Sequence, residues 1–360
     1  MSNKLKYILS EISFIAIAWV VLTLVYVLVK FSDVPEPQIA YLYSLAEPVK
    51  KSWLFTVSLI VATPLGIVLG VMHTLVYPSF DRFKSLGFNI LTRSFIFSML
   101  AVTVFLLLLA VGTISNSSLI QSLQALFSKA SVLNVFLYML LVENFLGVVL
   151  LLRRGLGDRY FFNSLVNTYR NPKEEQRIFM FLDMEDSTPI GESLGYLKFS
   201  RYVQDCFYDL SDIVIQHGGE IYQFVGDEAV ITWKISSNFL YQQCIDLYFA
   251  YMVLLIERES YYKLNYQTIP MFRCAIHCGT VSTSLVGNHK KEIAYHGTVL
   301  NLCARLQAIA KSLNACILVS DIFWDRVLEK THYQAEQVHL ESLKGLHHEQ
   351  IAYKILKHFS

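Results

Sequence analysis

Two aspartates that end or interrupt apolar segments are the residues of this chain best suited to bind a divalent cation. Asp183 closes the apolar run Arg177–Asp183, and Asp227 lies at the turn of a predicted hairpin, Glu220–Trp233. If the hairpin lies beside the first strand, the two carboxylates come together. Hard divalent cations take such oxygen ligands and usually keep a nucleotide phosphate as a further ligand. Two such ions, about 4 Å apart, can activate an attacking hydroxyl and neutralise a leaving phosphate.

A phosphate site is predicted directly after the first aspartate. The segment Met184–Thr188 follows the strand and leads into a helix. Backbone N–H groups at a helix N-terminus bind anions, which makes Ser187 and Thr188 candidate substrate-binding residues. Acids also end strands on protein surfaces that hold no metal, so these features alone leave the plain surface interpretation of Asp183 and Asp227 open.

Four motifs within residues 175–357 resemble, in the same order, those of the class III adenylate and guanylate cyclases. Phe181–Thr188 resembles F-x-D-[ILM]-x-x-S-T, and Val225-Gly226-Asp227 resembles the family's hairpin with the second metal-binding aspartate. The other two motifs are the G-x-x-x-N-x-x-x-R helix, matched by Gly297, Asn301 and Arg305, and the late L-K-G strand, matched by Leu343-Lys344-Gly345. The segments Asn171–Arg177 and Ile221–Glu228 resemble a bacterial subgroup of membrane-anchored cyclases.

The resemblance implies a role for each matching residue. Asp183, Asp227 and the Met184 carbonyl would bind two Mg²⁺ or Mn²⁺ ions per active site. Asn301 would orient the ribose, Arg305 would stabilise charge in the transition state, and Lys344 would bind the triphosphate. The reaction implied is in-line attack of the ribose 3′-hydroxyl of ATP on the α-phosphate, which yields 3′,5′-cyclic AMP and pyrophosphate. Such phosphoryl chemistry mainly needs positioning and charge neutralisation.

The resemblance also implies a homodimer. Asn301 and Arg305 are four residues apart, so they share one face of their helix. In this family that face meets the metal site of the other subunit. One chain alone would then be inactive, and a symmetric dimer would carry two equivalent composite sites.

Two positions that read the purine ring depart from the best-known adenylate cyclases. Gln223 stands where those enzymes place a lysine, and Ala294 stands where they place an aspartate or threonine. Neither position carries the Glu or Cys of typical guanylate cyclases. These residues leave ATP and GTP open, and the subgroup resemblance favours ATP.

Three other functions fit the sequence less well. A diguanylate cyclase needs a second glycine before Gly226-Asp227-Glu228, where Val225 stands. A catalytically degenerate nucleotide-binding signalling module would explain the altered purine-reading positions, but not the retained metal, Asn and Arg positions. A transporter or channel would carry more polar groups within its membrane spans. A net charge of +1 gives no general attraction to nucleic acid.

The elements that must position these residues alternate between strand and helix patterns. The predicted helices are Gly195–Gln216, Asn238–Glu257 and Gly297–Ser312, and the predicted strands after the hairpin are Met271–Cys278 and Thr280–Val286 around Gly279, then Ile317–Ser320. The order predicts a C-terminal α+β ferredoxin-like class III nucleotide cyclase domain over residues 176–360. Cys274, His277 and Cys278 lie close together, but no second ligand pair stands nearby at zinc spacing.

The first half of the chain has a different composition. Hydrophobic residues make up 54% of the whole chain and charged residues 16%, with a mean hydropathy of +0.42. Four apolar runs reach the roughly 20 residues that cross a membrane as a helix; they are about residues 9–29, 53–77, 90–113 and 132–152. The prediction is an N-terminal all-α four-helix transmembrane bundle over residues 1–152, followed by a connector over residues 153–175.

Lys and Arg in the short loops predict the orientation. They precede the first run, lie between the second run and the start of the third, and follow the fourth. These residues are Lys4 and Lys6, then Arg82, Lys84 and Arg93 (the last within the first turn of the third run), then Arg153, Arg154 and Arg159. Lys30, Lys50 and Lys51 around the first loop oppose this pattern. The best fit is a multi-pass protein of the inner (plasma) membrane with both termini in the cytoplasm.

Polar residues inside the predicted spans include Glu143, with Asn144 beside it, and His73. Intramembrane ionisable residues often mark functional sites. Glu143 could be a proton- or ligand-sensing group, or it could make an interhelical hydrogen bond. His73 could be a haem or metal ligand, for which the sequence provides little support.

Overall fold

The computed structural model describes residues 3–36, 38, 50–78, 86–114, 131–157, 161–163, 168–340 and 350–357. The chain divides into two compact units, with the boundary along the chain at Phe161 and Phe162. This boundary falls inside the predicted connector.

The N-terminal unit is built from long apolar helices. Their bounds are α1 Asn3–Phe31, α2 Lys51–Val71, which continues as a π-helix over Met72–Val76, α3 Leu86–Ile114, and α4 Ser131–Leu156. Among the described residues, three segments are long and apolar enough to cross a membrane: Asn3–Phe31, Lys51–Val76 and Asn134–Gly155. In α3 the corresponding apolar stretch is the shorter Gly87–Ala101. The structure therefore supports three spans, and the predicted fourth stays a prediction.

Helices α1 and α2 approach closely because α2 presents two glycines four residues apart. A Cβ added at Gly70 would lie 2.9 Å from the carbonyl oxygen of Ile12, and one added at Gly66 would lie 3.1 Å from Cα of Ala16. Small residues at this spacing let helix backbones pack where lipid offers no hydrophobic driving force. The motif thus gives α1 and α2 a specific packing face.

The C-terminal unit contains a mixed sheet with helices on both faces. The strands are β1 Lys173–Met184, β2 Glu220–Val225, β3 Glu228–Lys234, β4 Phe272–Val286, β5 Glu292–His296, β6 Ile317–Ser320, β7 Tyr333–Leu340 and β8 Gln350–Lys357. The helices are α5 Ser187–Leu194, α6 Tyr196–Gln216, α7 Gln242–Glu257, α8 Glu259–Tyr266, α9 Thr298–Ser312 and the short α10 Asp321–Trp324. The strand order is β2-β3-β1-β4-β6-β8-β7, and β5 pairs with β4.

The side chains of β1 alternate between the two faces of the sheet. Ile178, Met180 and Leu182 join the larger buried cluster with residues of α6 and α7. Phe179 lies on the opposite face and joins a second cluster with residues of α9. Successive side chains of a strand point to opposite faces, so Asp183 lies on the α9 face, like Phe179.

Three boundaries differ from those predicted. Strand β1 begins at Lys173, because Lys173–Gln176 pair with Thr280–Thr283 of β4. Helix α7 begins at Gln242 rather than Asn238. Strand β4 is continuous through Gly279, where a turn between two strands was expected.

The reason for a glycine at position 279 is close packing. A Cβ there would lie 2.8 Å from Cγ2 of Val299 in α9. With any other residue, Val299 or the helix would have to shift, since real Cβ contacts are not that short. Gly279 therefore permits α9 to pack directly on β4.

The expectation against a zinc site agrees with the faces of β4. Cys274 and Cys278 are buried in the larger cluster, with residues of α6 and α7. His277 is the neighbour of Cys278 along the strand, so its side chain lies on the opposite face of the sheet. There its Nδ1 is hydrogen-bonded to the Ser320 hydroxyl at 2.8 Å. The side chains diverge across the sheet, so they cannot share one ion.

Candidate active site

Three charged residues form a row across neighbouring strands. Asp183 of β1 is the direct partner of Glu228 in β3 and of Arg273 in β4. Directly opposed residues of antiparallel strands place their side chains on the same face, within contact range. Two acids and one arginine therefore stand side by side on the α9 face of the sheet.

The second predicted metal-binding aspartate lies in the turn beside this row. Asp227 separates β2 from β3 and follows Gly226, whose φ of +62° is in the left-handed region that favours glycine. Since β3 pairs directly with β1, the turn brings Asp227 to the end of β1. The Asp227 charge accordingly acts on both Asp183 and Glu228.

The electrostatics of this cluster show a local excess of negative charge. Burial is the main cause that raises the pKa of Asp183, and the Asp227 carboxylate raises it further. The charges of Lys311 and Arg273 act to lower this pKa. Burial, followed by Asp183 and Asp227, raises the pKa of Glu228 to about 7. Neighbouring like charges and desolvation both disfavour the ionised forms. A cation at this place would relieve the repulsion.

The fit of this cluster to a divalent ion is partial within one chain. Among the described residues, no group of three or more His, Cys, Asp or Glu side chains is arranged to enclose a metal ion. Asp183 and Asp227 can supply two half-buried carboxylates where β1 ends and β3 begins. An ion held there would take its remaining ligands from backbone, water and substrate phosphate, which is usual for Mg²⁺.

The loop after β1 is held in place from two sides. Arg273 makes an ion pair with Glu185, with 3.3 Å between Nη2 and Oε1, and the Glu185 amide donates a 2.8 Å hydrogen bond to the Met271 carbonyl. Asp186 adopts a φ of +52° at the start of α5. The loop therefore turns sharply and presents the N-terminus of α5, where Ser187 is half-buried and Thr188 is exposed.

Helix α9 packs on the sheet with one face and leaves the predicted catalytic residues on the other. Its buried residues are Val299, Cys303, Leu306, Gln307 and Ala310. Asn301 is exposed and Arg305 is half-buried. At 100° per residue, positions 301 and 305 lie opposite Cys303. Asn301 and Arg305 are thus directed away from the sheet on which their own chain's acids lie.

The two predicted purine-reading positions lie on different strands. Gln223 is exposed on β2, and Ala294 is half-buried on β5, opposite Ser284 of β4. The neighbouring Tyr295 packs edge-on against Phe179 and Tyr222, with ring centroids 5.3 and 4.9 Å apart. Tyr295 is therefore a packing residue of this part of the sheet.

A buried ionic network supports the strand that carries Ala294. The Arg177 guanidinium lies 4.6 Å from the centroid of the Tyr295 ring, and Arg177 Nε donates a 2.9 Å hydrogen bond to Glu175 Oε2. Lys234 Nζ and the Tyr169 hydroxyl donate to Glu175 Oε1 at 2.6 and 2.9 Å. Burial alone would raise the pKa of Glu175, but the Lys234 hydrogen bond and the Arg177 charge outweigh it and hold the pKa at about 2.

The last predicted site residue cannot be placed. Lys344, with its neighbours Leu343 and Gly345, lies outside the described residues. Its assignment to the triphosphate stays a prediction.

Sequence reasoning missed three charged residues at this site. Glu228, Arg273 and Lys311 all act on Asp183 or share its row. Glu228 directly follows a motif aspartate, which could have drawn attention to it. Arg273 and Lys311 lie outside every motif, and only strand register and helix packing bring them close.

Comparison with known proteins identifies the family of this chain. A family model described as the adenylate and guanylate cyclase catalytic domain matches residues 170–357, more than half of the chain. A curated relative, adenylate cyclase 2 of Rhizobium meliloti (strain 1021), is 32% identical over 213 residues, which is 59% of this chain and 59% of the relative. The alignment thus spans less than two thirds of that relative's length.

Solved structures of similar proteins are more distant. The adenylyl cyclase CyaB from P. aeruginosa is 17% identical over 52% of this chain and 97% of its own, with a TM-score of 0.46. The guanylyl cyclase Cya2 is 14% identical over 51% of this chain and 93% of its own, with a TM-score of 0.45. The family resemblance of the four sequence motifs is confirmed by the family model.

Proposed function

This chain belongs to the class III adenylate and guanylate cyclase family, and on that premise we propose that it is a membrane-anchored adenylate cyclase. It converts ATP to 3′,5′-cyclic AMP and pyrophosphate by in-line attack of the ribose 3′-hydroxyl on the α-phosphate. The observation that carries this proposal is the convergence of Asp183, Asp227 and Glu228 where β1 ends and β3 begins.

Asp183, Asp227 and the Met184 carbonyl are proposed to hold two Mg²⁺ or Mn²⁺ ions. When bound, such ions lower the pKa of the attacking hydroxyl and neutralise charge on the phosphates. The support from this chain is the mutual repulsion of its carboxylates, which a divalent cation would relieve.

The chain's own residues position the substrate. The N-terminus of α5, with Ser187 and Thr188, is directed at the phosphates through its backbone N–H groups. Arg273 holds the preceding loop through Glu185. Lys344 is assigned to the triphosphate on its motif alone. These contacts orient the substrate and stabilise the charge that develops on its phosphates during the reaction.

Asn301 and Arg305 are proposed to act on the substrate bound by the partner subunit. Their position on the outer face of α9 supports this, because the inner face is fully used in packing on the sheet. Asn301 would orient the ribose, and Arg305 would stabilise charge as the α-phosphate is attacked. The active unit is then a homodimer with two composite sites.

The apolar helices anchor the enzyme in a membrane, with the catalytic domain in the cytoplasm. Their length and hydropathy support this placement, and the distribution of Lys and Arg supports the orientation. ATP is proposed as the substrate because the curated relative is named an adenylate cyclase, whereas Gln223 and Ala294 by themselves favour neither purine.

The test is product formation by purified full-length protein with Mn²⁺ and either ATP or GTP. Cyclic AMP and an equal amount of pyrophosphate from ATP, but no product from GTP, is the expected result. Asp183→Asn is the matched control, because it keeps the side chain's shape and removes a metal-binding charge; it should abolish product formation. Cyclic GMP as the main product would overturn the proposed substrate. A folded dimer that binds nucleotide and forms neither product would identify a signalling module without catalysis.

A further inference from the structure

The N-terminal unit contains a buried cluster of ionisable side chains that the cyclase reaction does not use. Its buried charged or titratable members among the described residues are Glu11 of α1, His73 of the π-helix, Tyr77 just after it, Arg93 of α3, and Glu143 and Arg153 of α4. Ionisable groups inside membrane helices are costly and usually functional. Such a cluster therefore needs an explanation beyond packing.

The centre of this cluster is a pair formed by His73 and Glu143. His73 Nε2 lies 2.8 Å from Glu143 Oε1, and the two side chains are only 1% and 2% exposed. A carboxylate oxygen can only accept, so His73 donates from Nε2 and its neutral tautomer leaves Nδ1 as an acceptor. Within the described part of the chain, His73 Nδ1 and Glu143 Oε2 have no hydrogen-bond partner. The pair thus keeps an open proton-accepting atom in a buried place.

The backbone at this point is also irregular. His73 lies in a five-residue π-helix that interrupts the regular α-helical pattern of α2. Single π-turns within α-helices are frequent at functional sites. The His73 carbonyl accepts a 2.7 Å hydrogen bond from Arg154 Nη2, so α4 contacts His73 at both its side chain and its backbone.

Charged and aromatic groups from the other helices surround the pair. The His73 ring packs edge-on against Tyr77, with centroids 4.8 Å apart, and the Arg93 guanidinium lies 5.1 Å from the Tyr77 ring centroid. Gly147 of α4 leaves room between them: a Cβ there would be 3.6 Å from Arg93 Nη1 and 3.9 Å from His73 Cε1. Glu11 of α1 is engaged by Arg153, with 2.5 Å between Oε1 and Nη2, and lies 3.8 Å from Arg154.

We propose that the His73–Glu143 pair is a proton-binding site that makes the activity of the enzyme depend on pH. The proton binds to Nδ1 of His73, and the imidazolium that forms balances the Glu143 carboxylate. The protonated pair holds α4 to the π-helix more strongly than the neutral imidazole does, because the imidazolium adds the attraction of opposite charges to its hydrogen bond with the carboxylate.

Helix α4 is the element that can transmit this change. It carries Glu143 near its middle and Arg153 and Arg154 near its end, and the chain then continues towards the catalytic domain. Loss of the proton weakens one of the two attachments of α4 to His73. The activity readout of this proposal rests on the proposed cyclase function, whereas proton binding itself does not.

The experiment compares full-length wild type with Glu143→Gln in lipid nanodiscs. Cyclase activity is measured with Mn²⁺-ATP between about pH 5 and pH 8, the range in which histidine changes charge. The ratio of wild-type to variant activity removes the pH dependence of the catalytic domain, which both proteins share. The ratio should change by about fivefold or more across this pH range. Fivefold is about the smallest effect that one coupled site usually has on another.

Ser94→Ala is the matched control. It removes a neighbouring interhelical hydrogen bond, 2.7 Å from Ser94 Oγ to Asn144 Oδ1, without touching a titratable group. Its activity should follow the wild-type pH profile in parallel. A Glu143→Gln profile that is also parallel to wild type would overturn the inference while leaving the cyclase function intact.

A second measurement keeps the proposal testable if no cyclic nucleotide is formed. The full-length protein with ¹⁵N-labelled histidine is titrated in nanodiscs, and the His73 signal is identified by its loss in His73→Gln. A signal that titrates in wild type and shifts its midpoint in Glu143→Gln supports the site. A His73 signal that stays constant throughout the range overturns it.

Discussion

Asp183 of β1 and Glu228 of β3 are direct cross-strand partners, so a candidate metal-binding carboxylate has a second carboxylate beside it. The pKa of Glu228 rises to about 7 because of burial and the charges of Asp183 and Asp227. Without a cation, the ionised cluster weakens the fold. This relationship leads to the first prediction.

Glu228→Gln should stabilise the metal-free protein at high pH. A carboxyl whose pKa is raised in the folded state costs stability as pH increases from its unfolded value, near 4.3, to its folded value. The gain near pH 8 should be about 1 kcal/mol after allowing for solvent screening of this half-exposed group, or about 2–4 °C in Tm. Thermal unfolding in EDTA measures it. No gain is expected near pH 4, and the exposed control Glu257→Gln should leave Tm unchanged at both pH values.

Glu175→Gln should destabilise the catalytic domain in a pH-dependent manner. The neutral amide leaves the fully buried Arg177 without its charge partner, at a cost of about 3 kcal/mol. The pKa of Glu175 is lowered to about 2, so its contribution is present above the unfolded value near 4.3 and is lost as pH falls towards 2. Urea unfolding measures the difference in free energy of unfolding between wild type and variant. This difference should be largest near pH 7 and should shrink below about pH 4. A difference independent of pH would assign the effect to shape rather than charge.

Asp227→Ala and Arg305→Ala should each reduce kcat by about 100-fold or more, and the mixture of the two should recover activity. If the metal ligands and the α9 residues of each site come from different chains, as proposed, a mixed dimer has one site with neither change. Random pairing gives about a quarter of wild-type activity, since half of the dimers are mixed and each has one intact site. The control is the homodimer of a chain that carries both substitutions. A mixture as inactive as its components would contradict the composite site.

Gly279→Ala should lower the free energy of unfolding by about 1–3 kcal/mol, the usual cost of overpacking. The added Cβ would meet Val299 Cγ2 at 2.8 Å. Val299→Ala in the same chain should restore part of the loss, because it removes the methyl group that clashes. Chemical denaturation of the two single variants and the double variant gives the coupling energy. Additive effects would show that Gly279 is needed for another reason.

The local pattern of residues was sufficient to locate most of the catalytic domain's elements. The apolar run at Arg177–Asp183, the hairpin around Gly226-Asp227 and the helix after Gly297 appear in the structure close to their predicted positions. These elements have strong periodicity or glycine signals, which depend only on neighbouring residues. Gly279 was misread because a glycine that marks a turn and one that permits close packing look alike in sequence.

By itself, the sequence determined the family, the two candidate metal-binding aspartates and the shared face of Asn301 and Arg305, since each depends on short-range spacing. Only the tertiary structure decided which charges gather around Asp183, because Glu228, Arg273 and Lys311 reach it through strand register and helix packing across 45 to 128 residues of chain. The same holds for His73 and Glu143, 70 residues apart and joined by one buried hydrogen bond. Periodicity shows which side of a helix is polar, but the partner that a buried polar group finds is set by how the helices pack.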